Sequence, residues 1–215
     1  MRKNWFTKAV IAALVVMMSA LLLCPAFAGS STGRSGDVSG DSDLVRRLNA
    51  LSPFKFEKHK NGIGYGSCPV YSAPSTDSYR LSNGRASCQT NAAMDDAGYV
   101  SGWLLVRYET NNGGTRVGYI PGKYVKNYKS SMSPHFDYIP AVADDTIYVT
   151  DDTYSHTNSF GRLEAGEQFY VLSKYNYYAK EGFDWWYIEC TIDGQTARGF
   201  IERDDSSFHL GYADY

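Results

Sequence analysis

Histidine and cysteine are scarce in this chain of 215 residues, at four each, and neither type clusters. No two cysteines have the spacing of a zinc site, so metal-dependent chemistry lacks a candidate ligand set. No phosphate-cradling Gly-rich loop is present, and no Gly-Xaa-Ser-Xaa-Gly nucleophile elbow. Acidic pairs do occur, at Asp95-Asp96, Asp144-Asp145, Asp151-Asp152 and Asp204-Asp205. They lack the alternating spacing and glycine turn of a calcium loop, and solvated turns account for them. Cys68 sits in Ser67-Cys68-Pro69, where the proline argues against a helix-positioned thiolate nucleophile. These absences predict a protein that is not an enzyme and carries no cofactor.

Long apolar runs are also missing, with one exception near the start. Arg2, Lys3 and Lys8 precede an uninterrupted apolar and small stretch from Ala9 to Leu23, and Ala26-Phe27-Ala28 follows. A membrane-spanning helix needs about 18 or more apolar residues, and this run falls short. The pattern is that of a secretory signal peptide over 1–28, cleaved after Ala28. Cys24 follows Leu23, not the small residue that lipid attachment requires. A secreted or cell-envelope-associated protein is therefore expected, with no stable membrane span after cleavage.

Positive charge is in deficit too. Lys and Arg number 21 against 23 Asp and Glu; removing the three at the start leaves 18 against 23, a balance of −5. Nucleic acid is a poor partner for such a surface, because that affinity rests on neutralising phosphates. Tyrosine, by contrast, is abundant at 18. It favours half-buried strands and binding surfaces alike.

Three cysteines remain after cleavage: Cys68, Cys88 and Cys190. A Cys68–Cys88 disulfide is permissible in an oxidising compartment and would stabilise by about 3 kcal/mol. The odd count favours three buried thiols instead.

Gly29 to Asp41 is Gly, Ser and Asp, so 29–42 reads as a flexible linker. A short helical segment over 43–60 follows, in which Leu44, Val45, Leu48 and Leu51 share a face that packs on the following domain. From Tyr65 onward, short apolar or aromatic runs broken by Gly, Asn, Asp and Ser signal many short strands. Landmarks then recur in order. Val70-Tyr71 answers to Ile147-Tyr148, and Gly84-Arg85-Ala86 to Gly161-Arg162-Leu163. Trp103-Leu104-Leu105-Val106 answers to Trp185-Trp186-Tyr187-Ile188, and Gly118-Tyr119-Ile120 to Gly199-Phe200-Ile201. The later landmarks are further apart, which fits an enlarged second-copy loop from Tyr175 to Phe183. This is a tandem repeat, over 61–128 and 144–215, with a linker at 129–143 containing Pro134 and Pro140. Each copy has roughly 60–70 residues, near the lower limit for an independent core, and closing the sheet would remove its edges.

Gly118-Tyr119-Ile120-Pro121-Gly122-Lys123-Tyr124-Val125 resembles the closing segment of Src-homology-3 (SH3) domains. Asp184-Trp185-Trp186-Tyr187-Ile188 resembles the Trp-Trp strand of the same fold. From Val70 to Val125 and from Ile147 to Ile201, the chain looks like an exported bacterial SH3-like tandem. The resemblance implies an all-β protein of two small SH3-like β-barrels, and a groove formed by Trp103, Pro121 and Tyr124 that holds an extended peptide. Strand alternation puts Trp103, Leu105 and Arg107 on one face, and Trp185, Tyr187 and Glu189 on the matching one. That face is expected to see solvent, making Trp185 a second candidate binding residue. The second copy lacks the proline and tyrosine, having Glu202 and Arg203 instead. The expected partner is a cell-wall peptide or glycopeptide, with peptidoglycan as the family-based guess. The alternative is a structural or regulatory interaction module for another exported protein.

Overall fold

The structure, a computed structural model, describes residues 42–58, 67–84, 86–89, 94–110, 115–125, 132–151, 153, 159–176, 185–203 and 207–213. The expected signal peptide, the linker over 29–41, Arg85, Asp152, Asp204, Asp205 and the loop residues 177–184 lie outside the described residues.

Helix α1 (Ser42–Ala50) carries Asp43 in its first turn and Arg47 in its last, each opposing the helix dipole. Leu44 is buried, and Leu48 and Leu51 pack beside it, as the apolar spacing requires. Val45 is exposed instead. The stripe is seated on the second repeat's core rather than on the first repeat, which follows it in sequence. Helical structure stops at Ala50, shortly before Pro53, and residues 51–58 are not helical. Pro53 begins the two-residue strand β1 (Pro53–Phe54), and β2 (Glu57–Lys58) follows.

Arg47 donates to Asp137 at 2.6 Å and to the Tyr138 carbonyl at 3.3 Å, tying α1 to the segment between the repeats. The Arg47 hydrogen bond holds the Asp137 carboxyl below its ordinary value. A depressed carboxylate pKa contributes stability above the ordinary carboxylate range and loses it as pH falls through the shifted value. The α1 amides are therefore expected to exchange with solvent faster, relative to the strand core, below pH 3 than at pH 6. Hydrogen exchange would show this, and unchanged relative protection would refute it.

The first repeat contains β3 (Ser67–Pro69), the helical turn α2 (Leu81–Gly84), β4 (Ser87–Gln89), β5 (Met94–Val100), β6 (Trp103–Glu109) and β7 (Thr115–Pro121). The second contains β8 (Ile139–Ala143), β9 (Ile147–Thr150), β10 (Ser159–Leu163), β11 (Gln168–Tyr175), β12 (Trp185–Ile192), β13 (Gln195–Glu202) and β14 (Phe208–Leu210). The described residues are thus mostly β-sheet, with the short helix α1 and the single turn α2. Part of the expected 129–143 linker is strand: all five residues of β8 are buried, and it lies between β11 and β14. Its run Ile-Pro-Ala-Val-Ala is apolar enough to serve as a central strand despite the proline.

Both repeats are built on an antiparallel meander with one register. Leu105 faces Tyr119 and Val106 faces Gly118; Tyr187 faces Phe200 and Ile188 faces Gly199. A further residue bridges each C-terminal strand: Tyr71 to Tyr119, and Thr150 to Phe200. Tyr71 therefore corresponds to Thr150, and Val70 to Val149. The sequence landmarks had matched Val70-Tyr71 with Ile147-Tyr148, two residues earlier. Gly118 and Gly199 support the corrected phase. A Cβ would lie 2.5 Å from Val70 Cγ1 at Gly118 and 2.6 Å from Val149 Cγ1 at Gly199.

The strands form an open eight-stranded sheet, in the order β10-β9-β13-β12-β11-β8-β14 with β1 parallel to β11. A four-stranded sheet, β2-β5-β6-β7, and the β3-β4 pair complete the set. Among the described residues no sheet closes into a barrel. The edges are managed by the other copy. Tyr79 N–H donates to the Thr196 carbonyl, and Val117 N–H to the Asp151 carbonyl, both at 2.8 Å. Burial follows the same plan. One apolar cluster lies within each repeat, and a third is shared by both: Phe54, Ala97, Leu105, Val117, Tyr119, Leu172, Tyr175, Trp185, Tyr187 and Phe200. Sharing a core answers the size problem that closure would otherwise have to solve.

Candidate functional site

Trp103 opens β6 and Pro121 closes β7, and the meander's register sets them directly opposite each other. Trp103 is half-buried, with part of its ring against the shared cluster, while Pro121 is buried. The bridge from Tyr71 to Tyr119 brings a third ring into place. Tyr71 meets Trp103 edge-to-face, with centroids 5.4 Å apart and planes at 82°. Edge-to-face pairs are favoured by the ring quadrupoles, and here the arrangement leaves both rings partly open.

The chain leaves Pro121 in a single 3-10 turn, Gly122–Tyr124, fixed by hydrogen bonds from Gly122 N–H to the Gly102 carbonyl and from Val125 N–H to the Gly122 carbonyl. Tyr124 is half-buried against the first repeat's core. Two cations border these rings. The Lys123 ammonium lies 5.2 Å from the Tyr124 ring centre, and the Arg80 guanidinium 5.7 Å from that of Tyr71. Arg80 is held by two donations to the Ala86 carbonyl, at 3.0 and 3.3 Å. The surface can offer aromatic faces to an extended chain and positive charge to carboxylates.

Trp185 is placed differently. It is 4% exposed, inside the shared cluster, with Glu202 opposite it where the first repeat has Pro121. Thr150 stands where the first repeat has Tyr71. The face carrying Trp185, Tyr187 and Glu189 was expected to meet solvent, but it is where the two copies meet. Phe54 of β1 closes over it, 5.2 Å from Tyr187 and 5.1 Å from Tyr175. The charges on these faces are accommodated by pairing. Arg107 binds Asp95 at 2.5 Å and the Tyr175 hydroxyl at 2.9 Å.

Glu189 accepts from Arg198 Nε at 2.8 Å. Arg198 is buried and makes two more bonds, to the Tyr119 hydroxyl at 2.9 Å and the Tyr138 hydroxyl at 2.7 Å. Tyr187 donates to Tyr119 at 3.1 Å. Burial opposes the guanidinium's charge, yet the oxygens of Tyr119, Tyr187 and Glu189 leave its pKa above the usual value. Burial also raises both tyrosines.

Comparison with known proteins finds no matching family model, no matching curated protein and no matching solved structure.

Those of the acidic residues singled out in the sequence that are among the described residues have structural partners. Asp96 is buried and accepts the Gly98 N–H at 3.1 Å. Asp144 meets His209 at 2.6 Å, Asp145 accepts the Thr146 N–H at 2.7 Å, and Asp151 pairs with Arg116 at 2.5 Å. Among the described residues no three His, Cys, Asp or Glu side chains converge as metal ligands, and no helix is long and apolar enough to cross a membrane.

The structure places Trp103, Pro121 and Tyr124 at one end of one meander, with Tyr71 and Arg80, which the sequence did not mark as binding candidates, beside them. The signal for Tyr71 lay in the landmark Val70-Tyr71. Matched to Thr150 rather than Tyr148, it marks an aromatic residue that only the first copy has.

Proposed function

We propose that this protein is a non-catalytic binding protein of the bacterial cell envelope. Its first repeat holds an extended, carboxylate-bearing peptide or glycopeptide across Tyr71, Trp103, Pro121 and Tyr124. The second repeat is its structural support. The observation carrying this reading is the half-open Trp103, opposed to Pro121 and met edge-on by Tyr71. Arg80 and Lys123 at the border favour a ligand with carboxylates, which peptidoglycan stem peptides possess. The basic and apolar start of the chain supports export, and the likeness of Gly118 to Val125 to SH3 closing segments supports peptide recognition. Packing of the copies on one another would also suit a module that docks another exported protein. The retained exposure of Trp103 favours the ligand reading.

Retention of the protein on purified cell-wall sacculi at low salt tests it. Central aromatic anchors contribute about 2 kcal/mol or more, so Trp103→Ala is expected to weaken retention roughly 30-fold. Tyr71→Ala is expected to act in the same direction. Trp103→Ala that keeps its native circular dichroism and is retained like the parent would overturn the assignment, as would a parent protein that is not retained.

A further inference from the structure

Cys68 and Cys88 are direct cross-strand partners on β3 and β4, with their sulfurs 3.1 Å apart. Both are buried in the first repeat's core, at 0% and 2% exposure. Opposed residues in an antiparallel pair have Cα atoms about 4.5–5.5 Å apart, inside the window that a disulfide requires. At the same place in the second repeat, Ile147 faces Leu163, again in the core. The fold therefore needs two side chains in contact here, and branched aliphatics meet that need. A pair of thiols adds bond-forming chemistry that packing does not ask for.

The odd cysteine count favours free thiols, and the structure holds Cys68, Cys88 and Cys190 as three buried free thiols. The third does not compete for the pair. Cys190 lies in the second repeat's core, and burial together with Glu189 and Glu167 pushes its thiol up to about 12. It is an inert thiol, not a competitor for either partner.

We propose that Cys68 and Cys88 form a disulfide as the first repeat folds, before its core closes over them. The oxidant is a small-molecule disulfide such as oxidised glutathione. One cysteine thiolate attacks it, forming a mixed disulfide and expelling one glutathione. The other cysteine then attacks the bonded cysteine sulfur and expels the second. Two thiol protons and two electrons pass to the oxidant, which leaves as two reduced glutathiones. The bond closes the segment 69–87, which carries Tyr71 and Arg80. The inference stands apart from the binding proposal, since its readout is covalent.

The test uses the full chain carrying Cys24→Ser, so that the remaining cysteines number three. It is reduced, unfolded, and refolded with either oxidised glutathione or a reductant. The oxidised product is expected to lose two hydrogen masses and to yield a Cys68–Cys88 bridged fragment on peptide mapping. One thiol, Cys190, should remain titratable in denaturant. Its unfolding constant should be roughly 100-fold smaller than that of the reduced protein. Cys190→Ala should keep the bond, and Cys68→Ala or Cys88→Ala should abolish the oxidant-dependent gain. Three titratable thiols after native refolding with oxidant, or a bridge involving Cys190, would overturn the proposal. So would an oxidised chain that fails to regain the native spectrum.

Discussion

Replacing Arg198 by alanine is expected to destabilise the protein by about 3–5 kcal/mol, the usual penalty for removing one partner of a buried charge pair. The guanidinium holds Glu189 of β12, Tyr119 of β7 and Tyr138 before β8 at once. Its removal leaves the oxygens of Glu189, Tyr119 and Tyr138 without that donor, although the Tyr119 hydroxyl still accepts from Tyr187. It also removes a cation lying 5.5 Å from the ring centres of both Tyr119 and Phe136. Arg198→Lys should recover little, because an ammonium cannot present the planar fork that serves three acceptors in different directions. Urea unfolding at neutral pH provides the measurement. A loss below about 1 kcal/mol for Arg198→Ala would mean that the network adds little beyond packing.

The second large effect belongs to the paired glycines. In Gly199→Ala the new methyl would sit 2.6 Å from Val149 Cγ1, 2.8 Å from Phe160 Cε1 and 2.8 Å from the Thr150 carbonyl oxygen. In Gly118→Ala it would sit 2.5 Å from Val70 Cγ1 and 2.9 Å from the Tyr71 carbonyl oxygen. A backbone oxygen is among the obstacles in each case, so rotating a side chain cannot relieve the clash. Each substitution is expected to destabilise by about 2–3 kcal/mol, the upper part of the overpacking range. Val70→Ala should restore part of the loss in Gly118→Ala, read as a coupling energy in a double-mutant cycle. Strict additivity of the two changes would contradict the close approach. For binding, Gly118→Ala should also displace Tyr71 and so weaken retention on sacculi.

The meanders were legible in the sequence because Trp103 to Val106 and Trp185 to Ile188 each lead to a Gly-aromatic-Ile strand, and strand pairing preserved that order. The α1 stripe was legible from the spacing of Leu44, Leu48 and Leu51. The phase of the first strand was not. A slip of two residues leaves every side chain on its original face, so alternation cannot distinguish Ile147 from Val149 as the partner of Val70. Alternation also says which residues share a face but not what that face meets. Arg107 and Glu189 looked like markers of solvent, yet each found a countercharge at the contact between copies. Trp103 and Trp185 occupy the same register position, and only tertiary context leaves one half-open and the other buried in the shared cluster. Ile139 to Ala143 was hidden by Pro140, whose presence argued for a connector although the surrounding residues are apolar.

The layer of rings between the copies has a consequence for how such a duplicated protein can change. The second copy has Thr150 and Glu202 where the first has Tyr71 and Pro121. Its Tyr187 and Phe200 are less open to change, because the neighbouring copy stands on them. The second half is thus constrained by the core it shares, whatever its outer surface does. Anyone wishing to isolate the first half would first have to repaint the side it leans on.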